Sequence, residues 1–513
     1  MFTISKTITG VCVALVACIM GCGQGQSRMM NKPPAIVPVP KAVKMAQGSL
    51  VLGTRVVAAQ AQLRPLAVIV ADEIRLLTGK KMSVAQGKAG TGDILLTIDN
   101  ELKGEAYSLQ VGDTALVRGG NYSAVAMGTV SLLQAMSVQD GIVKVPHMDV
   151  SDEPFSSYRG FMLDLARKWH KMETVKQVVV MCRWYKIRYL QLHLTDDESF
   201  VFPSSAYPNV ATKNRHYTLK QLNELETFAR DRGVTIIPEL ETPGHSQELR
   251  KAIPQLSCAY VGITRRAICP GKESTYEILD KLIGEICDVF QTTPYFHIGC
   301  DEVNRRGWDN CSDCKAYMQK HKLDDSMELY RHFIVRMNEV VKKHGKKTIV
   351  WEGFHKEGKV DIPRDITVMI FECLYNMPAD LIADGYPVIN TAWQPLYVVN
   401  KRKWSPEKIY GWNMYRWESP WKHSVAYGEG IDVAPTEQVL GAQMCAWDQA
   451  DDIEIQSIRK RLPAMCERIW SPDAKCGFKD FAARLSVTDA SLTKLLQIKE
   501  ANTGNNKQGE IGK

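Results

Sequence analysis

Residues 187–197 read IRYLQLHLTDD, a leucine- and aromatic-rich run that empties directly into two carboxylates. Apolar runs of about four to eight residues mark buried strands, and a polar cluster that follows at once marks the point where the strand becomes a loop. The same device recurs at residues 234–246, VTIIPELETPGHS, and at residues 295–302, YFHIGCDE. Three successive strands therefore deliver acidic or histidine side chains at one kind of position.

Working outward, further strand patterns occupy residues 158–165, 348–352, 366–372, 387–392 and 441–446. Between them lie amphipathic stretches such as 219–232, 275–290, 326–343 and 453–467, whose apolar residues recur every three or four positions. Eight strand–helix alternations over residues 154–477 predict an α/β fold, a (β/α)8 TIM barrel, although the helix between strands six and seven reads short. Upstream, apolar runs at 49–58, 92–98, 106–111 and 114–118 mix with helical stretches at 66–77 and 124–135, which predicts a small α+β domain over residues 41–153. Residues 23–40, with Pro33, Pro34, Pro38 and Pro40, read as a linker. Residues 478–513 read as a helix, 480–499, and a polar tail.

The chain has 513 residues, 45% apolar and 24% charged, a globular composition. Its 64 basic and 57 acidic side chains leave +7, too little over this length to indicate nucleic-acid binding. Lys6 precedes an uncharged apolar run at 8–20, shorter than the roughly 20 residues a spanning helix needs, and this reads as an export signal. The run stops at Ile19-Met20-Gly21-Cys22, which resembles the lipobox of bacterial lipoproteins. The expectation is an exported, membrane-anchored lipoprotein, periplasmic or on the cell surface, with residues 1–22 as signal and lipidated Cys22. The only membrane contact is then the lipid. Of 14 cysteines, eleven lie beyond Cys22, an odd number that cannot all pair; Cys258 with Cys269, or Cys311 with Cys314, are disulfide candidates.

Asp–Glu pairs are usually solvated, Pro–Gly usually marks a turn, and single histidines are usually structural. The shared position of these groups at the carboxyl ends of successive strands favours a functional reading. In order, YRGFMLDLARKWH (158–170), LHLTDD (192–197), IPELETPGHS (237–246), HIGCDEV (297–303), Trp351, Tyr397 and GAQMCAWDQ (441–449) resemble glycoside hydrolase family 20, the β-N-acetylhexosaminidases. The resemblance covers nearly the whole chain. It implies an exo-acting enzyme that removes terminal β-linked GlcNAc or GalNAc from glycans with retention of configuration, without metal or other cofactor.

Most retaining glycosidases use two carboxyl groups, and substrate-assisted enzymes are an exception in which the sugar's own acetamido oxygen is the nucleophile. The resemblance makes Glu302 the general acid and later base, makes Asp301 the acceptor of the acetamido N–H, and makes Tyr397 a donor to the acetamido oxygen. Adjacent residues on a strand point to opposite faces, so Asp301 and Glu302 can serve one sugar only if the backbone has left the strand. Ionised Asp301 is expected to keep Glu302 protonated near neutral pH. Trp351 and Trp447 are the expected apolar walls, and Arg159 matches the arginine that binds O3 and O4, yet it falls at the entry end of strand one. Asp196, His245 and His297 match supporting positions.

The departures concern specificity. The usual Gly-Gly-Asp-Glu is Gly299-Cys300-Asp301-Glu302, and the usual Trp-x-Glu is Trp447-Asp448-Gln449. Phe371 replaces a frequent Trp, and DDESF replaces the commoner DDQGW. Neutral Gln449 in place of a hydroxyl-accepting Glu would weaken ordinary GlcNAc binding or tolerate an anionic substituent such as a 6-sulfate. Two rivals remain at this level: a zinc site built from His297, Cys300, Cys311 and Cys314, and a non-catalytic glycan-binding lipoprotein with a degenerate cleft.

Overall fold

The computed structural model describes residues 33–259 and 267–496. The apolar run at 8–20, Cys22 and most of the linker lie outside the described residues. Among the described residues no helix is long and apolar enough to cross a membrane.

Eight parallel strands form a closed barrel: Tyr158–Asp164, Tyr189–His193, Thr235–Thr242, Tyr295–Gly299, Lys347–Trp351, Thr367–Ile370, Val388–Asn390 and Val439–Trp447. Each pairs with the next, and the ring closes where Asn390 faces Ala442 and Met444 faces Phe161. The sequence expectation of a (β/α)8 barrel is met, including strands six and seven, which are joined by the six-residue helix Pro378–Ala383. The stretch 453–467, read as one helix, is two: Glu454–Ile458 and Arg461–Trp470. Pro463 has no N–H to give and its ring excludes the carbonyl four residues back, so a continuous helix through it is disfavoured.

Ahead of the barrel, an eight-stranded mixed sheet spans Ala42–Val51 to Ile142–Asp152. Its strands Tyr107–Val111 and Ala115–Gly119 bury every second residue, as a sheet covered on one face should. Helices Arg64–Thr78 and Tyr122–Ala135 pack against it, and the second is buried at every position from Ser123 to Ala135. The sequence reading missed the strands Ser83–Gln86 and Ile142–Asp152.

Paired charges fasten this domain to the amino end of the barrel. Arg183, on helix Met172–Trp184, makes two hydrogen bonds to Glu73, of 2.8 and 2.7 Å. Lys186 lies 2.7 Å from the Tyr107 hydroxyl and 3.4 Å from Asp152. The last helix, Phe478–Leu496, ties both parts together: Trp184 Nε1 donates to Thr488 O, and Lys494 Nζ to Leu77 O.

The barrel interior is apolar at Met162, Ile237, Ile349, Met369 and Ile389, but a polar column runs through it. The Tyr158 hydroxyl donates to Gln443 Oε1 at 2.8 Å. Gln443 Nε2 donates to Gln191 Oε1 at 2.8 Å, and Gln191 Nε2 to Glu239 Oε2 at 2.9 Å. Buried polar groups are tolerated when each has a partner, and these do.

Candidate active site

The fourth strand stops at Gly299, and the chain turns through positive φ at Gly299 (77°), Cys300 (80°) and Glu302 (47°). This turn removes the opposite-face problem posed by adjacent carboxylates. Both now face one imidazole: His245 Nε2 lies 3.9 Å from Asp301 Oδ2 and 3.3 Å from Glu302 Oε2. His245 also has positive φ, 44°. Non-glycine residues in this region cost on the order of 1–3 kcal/mol each and gather where function fixes them. Gly299 has a further reason to be glycine, since an added Cβ would stand 1.9 Å from Glu241 Oε1. Cys300, in the usual glycine position, is fully buried; its thiol turns back towards Ile298 O at 3.9 Å, and the Tyr330 hydroxyl holds its carbonyl.

From His245 a charge network runs across the mouth. His245 Nδ1 is 3.3 Å from Asp196 Oδ1, while Asp196 Oδ2 accepts from Arg167 Nε at 2.7 Å and lies 2.9 Å from His193 Nε2. His193 Nδ1 is 2.7 Å from Glu239 Oε2, and Glu239 Oε1 accepts from Trp351 Nε1 at 2.7 Å. His297 Nδ1 completes the cluster, 3.2 Å from Glu239. Asp164, ending the first strand, accepts the backbone N–H of Arg167 and of Asp448, which fixes the first and eighth loops together.

Burial opposes charge on both His193 and His245, but flanking carboxylates prevail. Glu239 and Asp196 raise the His193 imidazole to about 10, and hydrogen bonds to Asp196 and Glu302 raise His245 to about 11. Both are cations at neutral pH. The hydrogen bond from His245 holds the Glu302 carboxyl below its ordinary value, whereas burial raises Asp301. Behind them Glu241 is pushed well up by burial and by the neighbouring Asp301 and Glu239 charges, so it remains protonated. This corrects the expectation of ionised Asp301 beside protonated Glu302: in the unliganded protein Glu302, with a side chain 58% exposed beside a cation, loses its proton before Asp301, which is 16% exposed. Asp301 Oδ1 is buried and has no hydrogen-bond donor.

Aromatic walls surround these groups. Trp351 and Trp447 end the fifth and eighth strands, 6.4 Å apart between ring centroids and tilted by 47°. Phe371 meets Trp351 edge-on at 5.9 Å and stacks with Tyr397 at 6.3 Å. Tyr397 opens a short strand, Tyr397–Val399, that continues the sheet beside the eighth strand with Tyr397 opposite Cys445. Its ring stacks on Trp393 at 4.5 Å.

Two expected ligands lie elsewhere. Arg159 is fully buried at the amino end of the first strand, bonded to Glu105, Ser156 O and Lys186 O. It serves the interface with the N-terminal domain. The arginine at the mouth is Arg167, whose guanidinium lies 4.6 Å over the Trp447 ring. Gln449 is also turned inward: its Nε2 donates to Trp447 O at 2.8 Å, and its Oε1 accepts from Ser457 at 3.0 Å, so it does not present its amide to a ligand. The zinc reading changes too. His297 and Cys300 belong to the barrel mouth, while Cys311 and Cys314 gather with Cys258 and Cys269 as free thiols.

Sequence reasoning missed Arg167, His193, Glu239 and Glu241. Period-two alternation signals the last three, since 191/193 and 237/239/241 alternate with apolar neighbours on strands two and three. Arg167 is three residues past the end of strand one, the same rim position that singled out the other clusters.

The comparisons with known proteins agree with this geometry. The family model described as glycosyl hydrolase family 20, domain 2, matches residues 33–153. A β-hexosaminidase of Porphyromonas gingivalis is 28% identical over 540 residues, covering 93% of this chain. Subunit beta of an Entamoeba histolytica β-hexosaminidase is 26% identical over 72% of this chain, and a Vibrio furnissii β-hexosaminidase is 28% identical over 62%. The chain spans 66%, 69% and 57% of these relatives' own lengths. Among solved structures, a β-N-acetylhexosaminidase from Bacteroides fragilis superposes with a TM-score of 0.77 at 23% identity, over 90% of this chain and 96% of its own. An exo-β-N-acetylglucosaminidase from Vibrio harveyi in complex with N-acetylglucosamine gives 0.76 at 22%, over 91% and 79%. At those identities the structures establish the shared fold. The model of the glycosyl hydrolase family 20 catalytic domain matches residues 156–473, well over half of the sequence, and the chain belongs to that family.

Proposed function

We propose that this chain is a retaining, exo-acting β-N-acetylhexosaminidase that works through the acetamido group of its own substrate. One observation carries the reading: Asp301 and Glu302 both face His245, and Asp301 keeps a buried oxygen without a donor. The Asp301 side chain is 16% exposed at the mouth, where an amide N–H of a bound sugar meets a carboxylate. The acetamido N–H of a bound N-acetylhexosamine donates to Asp301, which turns the acetamido oxygen towards C1. Glu302 passes its proton to the glycosidic oxygen as the C1–O bond breaks, and the acetamido oxygen closes on C1 to give an oxazolinium ion. The Glu302 carboxylate then takes a proton from water, whose oxygen attacks C1 and reopens the ring with net retention. Intramolecular attack of this kind reaches effective molarities of about 10⁵–10⁸ M, so the orienting role of Asp301 matters as much as proton transfer.

In the free protein burial raises the proton affinity of Asp301 while the His245 hydrogen bond lowers that of Glu302. An N–H bond to Asp301 favours its ionised form, while a sugar over Glu302 removes water and favours its neutral form. Substrate binding thus shifts proton affinity from Asp301 towards Glu302, the residue that donates. Tyr397, beside Trp393 and Phe371, supplies the hydroxyl for the acetamido oxygen, and Arg167 supplies donors for the ring hydroxyls.

For an anionic substituent such as a 6-sulfate, support shifts from Gln449 to Arg402. Val399 and Arg402 are paired neighbours in an antiparallel hairpin, so Arg402 shares the sheet face of Val399 and Tyr397. Its guanidinium stacks 4.3 Å over Trp421, and Nη1 is buried without an acceptor. The lipobox-like Cys22 supports export and lipid anchoring, which mass analysis of the mature N-terminus tests. The enzymatic reading is tested by hydrolysis of a chromogenic β-N-acetylglucosaminide, its galactosaminide epimer and its 6-sulfated form. Turnover that survives in Glu302→Gln would refute it, and binding without turnover in wild type would leave only a glycan-binding cleft.

A further inference from the structure

Cys258, Cys269, Cys311 and Cys314 are all buried, and their sulfurs lie within 4.8 Å of one another. Cys269 is 3.9 Å from Cys311 and 3.5 Å from Cys314. Tetrahedral zinc with Zn–S bonds of about 2.3 Å requires sulfur–sulfur edges of roughly 3.8 Å. Two separate disulfides would group four sulfurs as two pairs, whereas here Cys269 has two close sulfur neighbours. We propose that these four thiolates form a structural zinc site, apart from the catalytic mouth and with no part in the proton chemistry there.

The surroundings are built for it. Cys311 is the N-cap of helix Ser312–His321 and Cys314 lies in its first turn, where backbone N–H groups favour thiolates. Gly271 lets the opposite segment approach, since a Cβ there would stand 2.5 Å from Cys314 Cα. Cys269 is itself pinned by its N–H to Leu256 O at 2.7 Å and its carbonyl to Thr275 Oγ1 at 2.7 Å. Four thiolates around Zn²⁺ carry two excess negative charges. The Lys272 ammonium, 2.8 Å from Ser257 O and 3.4 Å from Asp313, stands close by to balance them. The site would bind the loop after strand three, which bears His245, to the loop after strand four, which bears Asp301 and Glu302. Deprotonated cysteines bind zinc with release of their protons, and no oxidant takes part.

The test is metal analysis of the full-length chain purified without chelator or reductant. About one zinc per chain is expected, released in step with four thiols when a mercurial displaces it. Cobalt substitution should give the visible bands of tetrahedral thiolate coordination. Cys314→Ser should lose the metal, while Cys287→Ser, another buried cysteine outside the cluster, should keep it. A metal-free chain four hydrogens lighter, with these cysteines resistant to alkylation until reduced, would overturn the site in favour of two disulfides. Four free thiols that fail to take up added zinc would overturn it as well.

Discussion

Arg159 and Arg167 bracket a single strand, one at each end of the barrel, and their fates differ. At the amino end Arg159 is wholly enclosed, with every hydrogen bond directed to protein groups, beside the Arg183–Glu73 and Lys186–Asp152 pairs. At the carboxyl end Arg167 keeps a side chain 26% exposed and shares Asp196 with His193, while Asp301 keeps an oxygen without a donor. Both ends bury charge. Arg159 at the amino end is closed to solvent, whereas at the carboxyl end Arg167, Asp301 and Glu302 keep 26%, 16% and 58% of their side chains exposed to a ligand. Charge that stays partly exposed, on a turn with positive φ at Cys300 and Glu302 and opposite His245, therefore distinguishes the site better than buried charge does.

The contrast breaks most visibly at the carboxylates. Glu302→Gln should lower kcat about 10²–10⁴-fold, and Asp301→Asn at least as much, with little change in Tm; steady-state kinetics beside thermal melts would show it. Next comes the arginine pair. Arg167→Ala should raise KM about 10–100-fold, the worth of charge-assisted hydrogen bonds, whereas Arg159→Ala should leave KM alone and cost about 3 kcal/mol of stability by leaving the buried carbonyls of Ser156 and Lys186 without their donor and Glu105 with Arg188 alone. Equal effects on both measurements for the two variants would erase the distinction between the ends.

Smaller effects sharpen it. Arg402→Ala should cut the preference for a 6-sulfated over an unsubstituted substrate about tenfold, while Gln449→Glu, inward-facing, should change selectivity little and cost about 1–3 kcal/mol. Competition assays with both substrates decide between the two positions. Last is pH dependence. The His245 cation holds Glu302 low, so His245→Gln should raise the proton affinity of the carboxyl pair and move the alkaline fall in kcat/KM upward by about one unit. A downward shift would reverse the electrostatic assignment.

Strand order was legible because most barrel strands are short apolar runs ending in polar residues, and the observed strand Tyr295–Gly299 lies within the stretch 295–302 read that way. The adjacent carboxylates were legible as a problem, and the turn after Gly299 is its solution. Side-chain direction was not legible. Arg159 looked like a ligand because its motif matched, but strand polarity puts it at the wrong end. Gln449 looked like one because it follows Trp447, yet Ser457, on a helix eight residues later, claims its amide. The protonation order failed for the same reason: a neighbour remote in sequence, His245, outweighs the adjacent carboxylate.

The amide column inside the barrel has a direction. Tyr158, Gln443 and Gln191 each donate towards the mouth, so their dipoles add head to tail and converge on Glu239. A hydroxyl on the floor thereby helps to sustain an anion several layers above it, and reversing one link would be felt at the top as a change in voltage, with no atom near the sugar displaced.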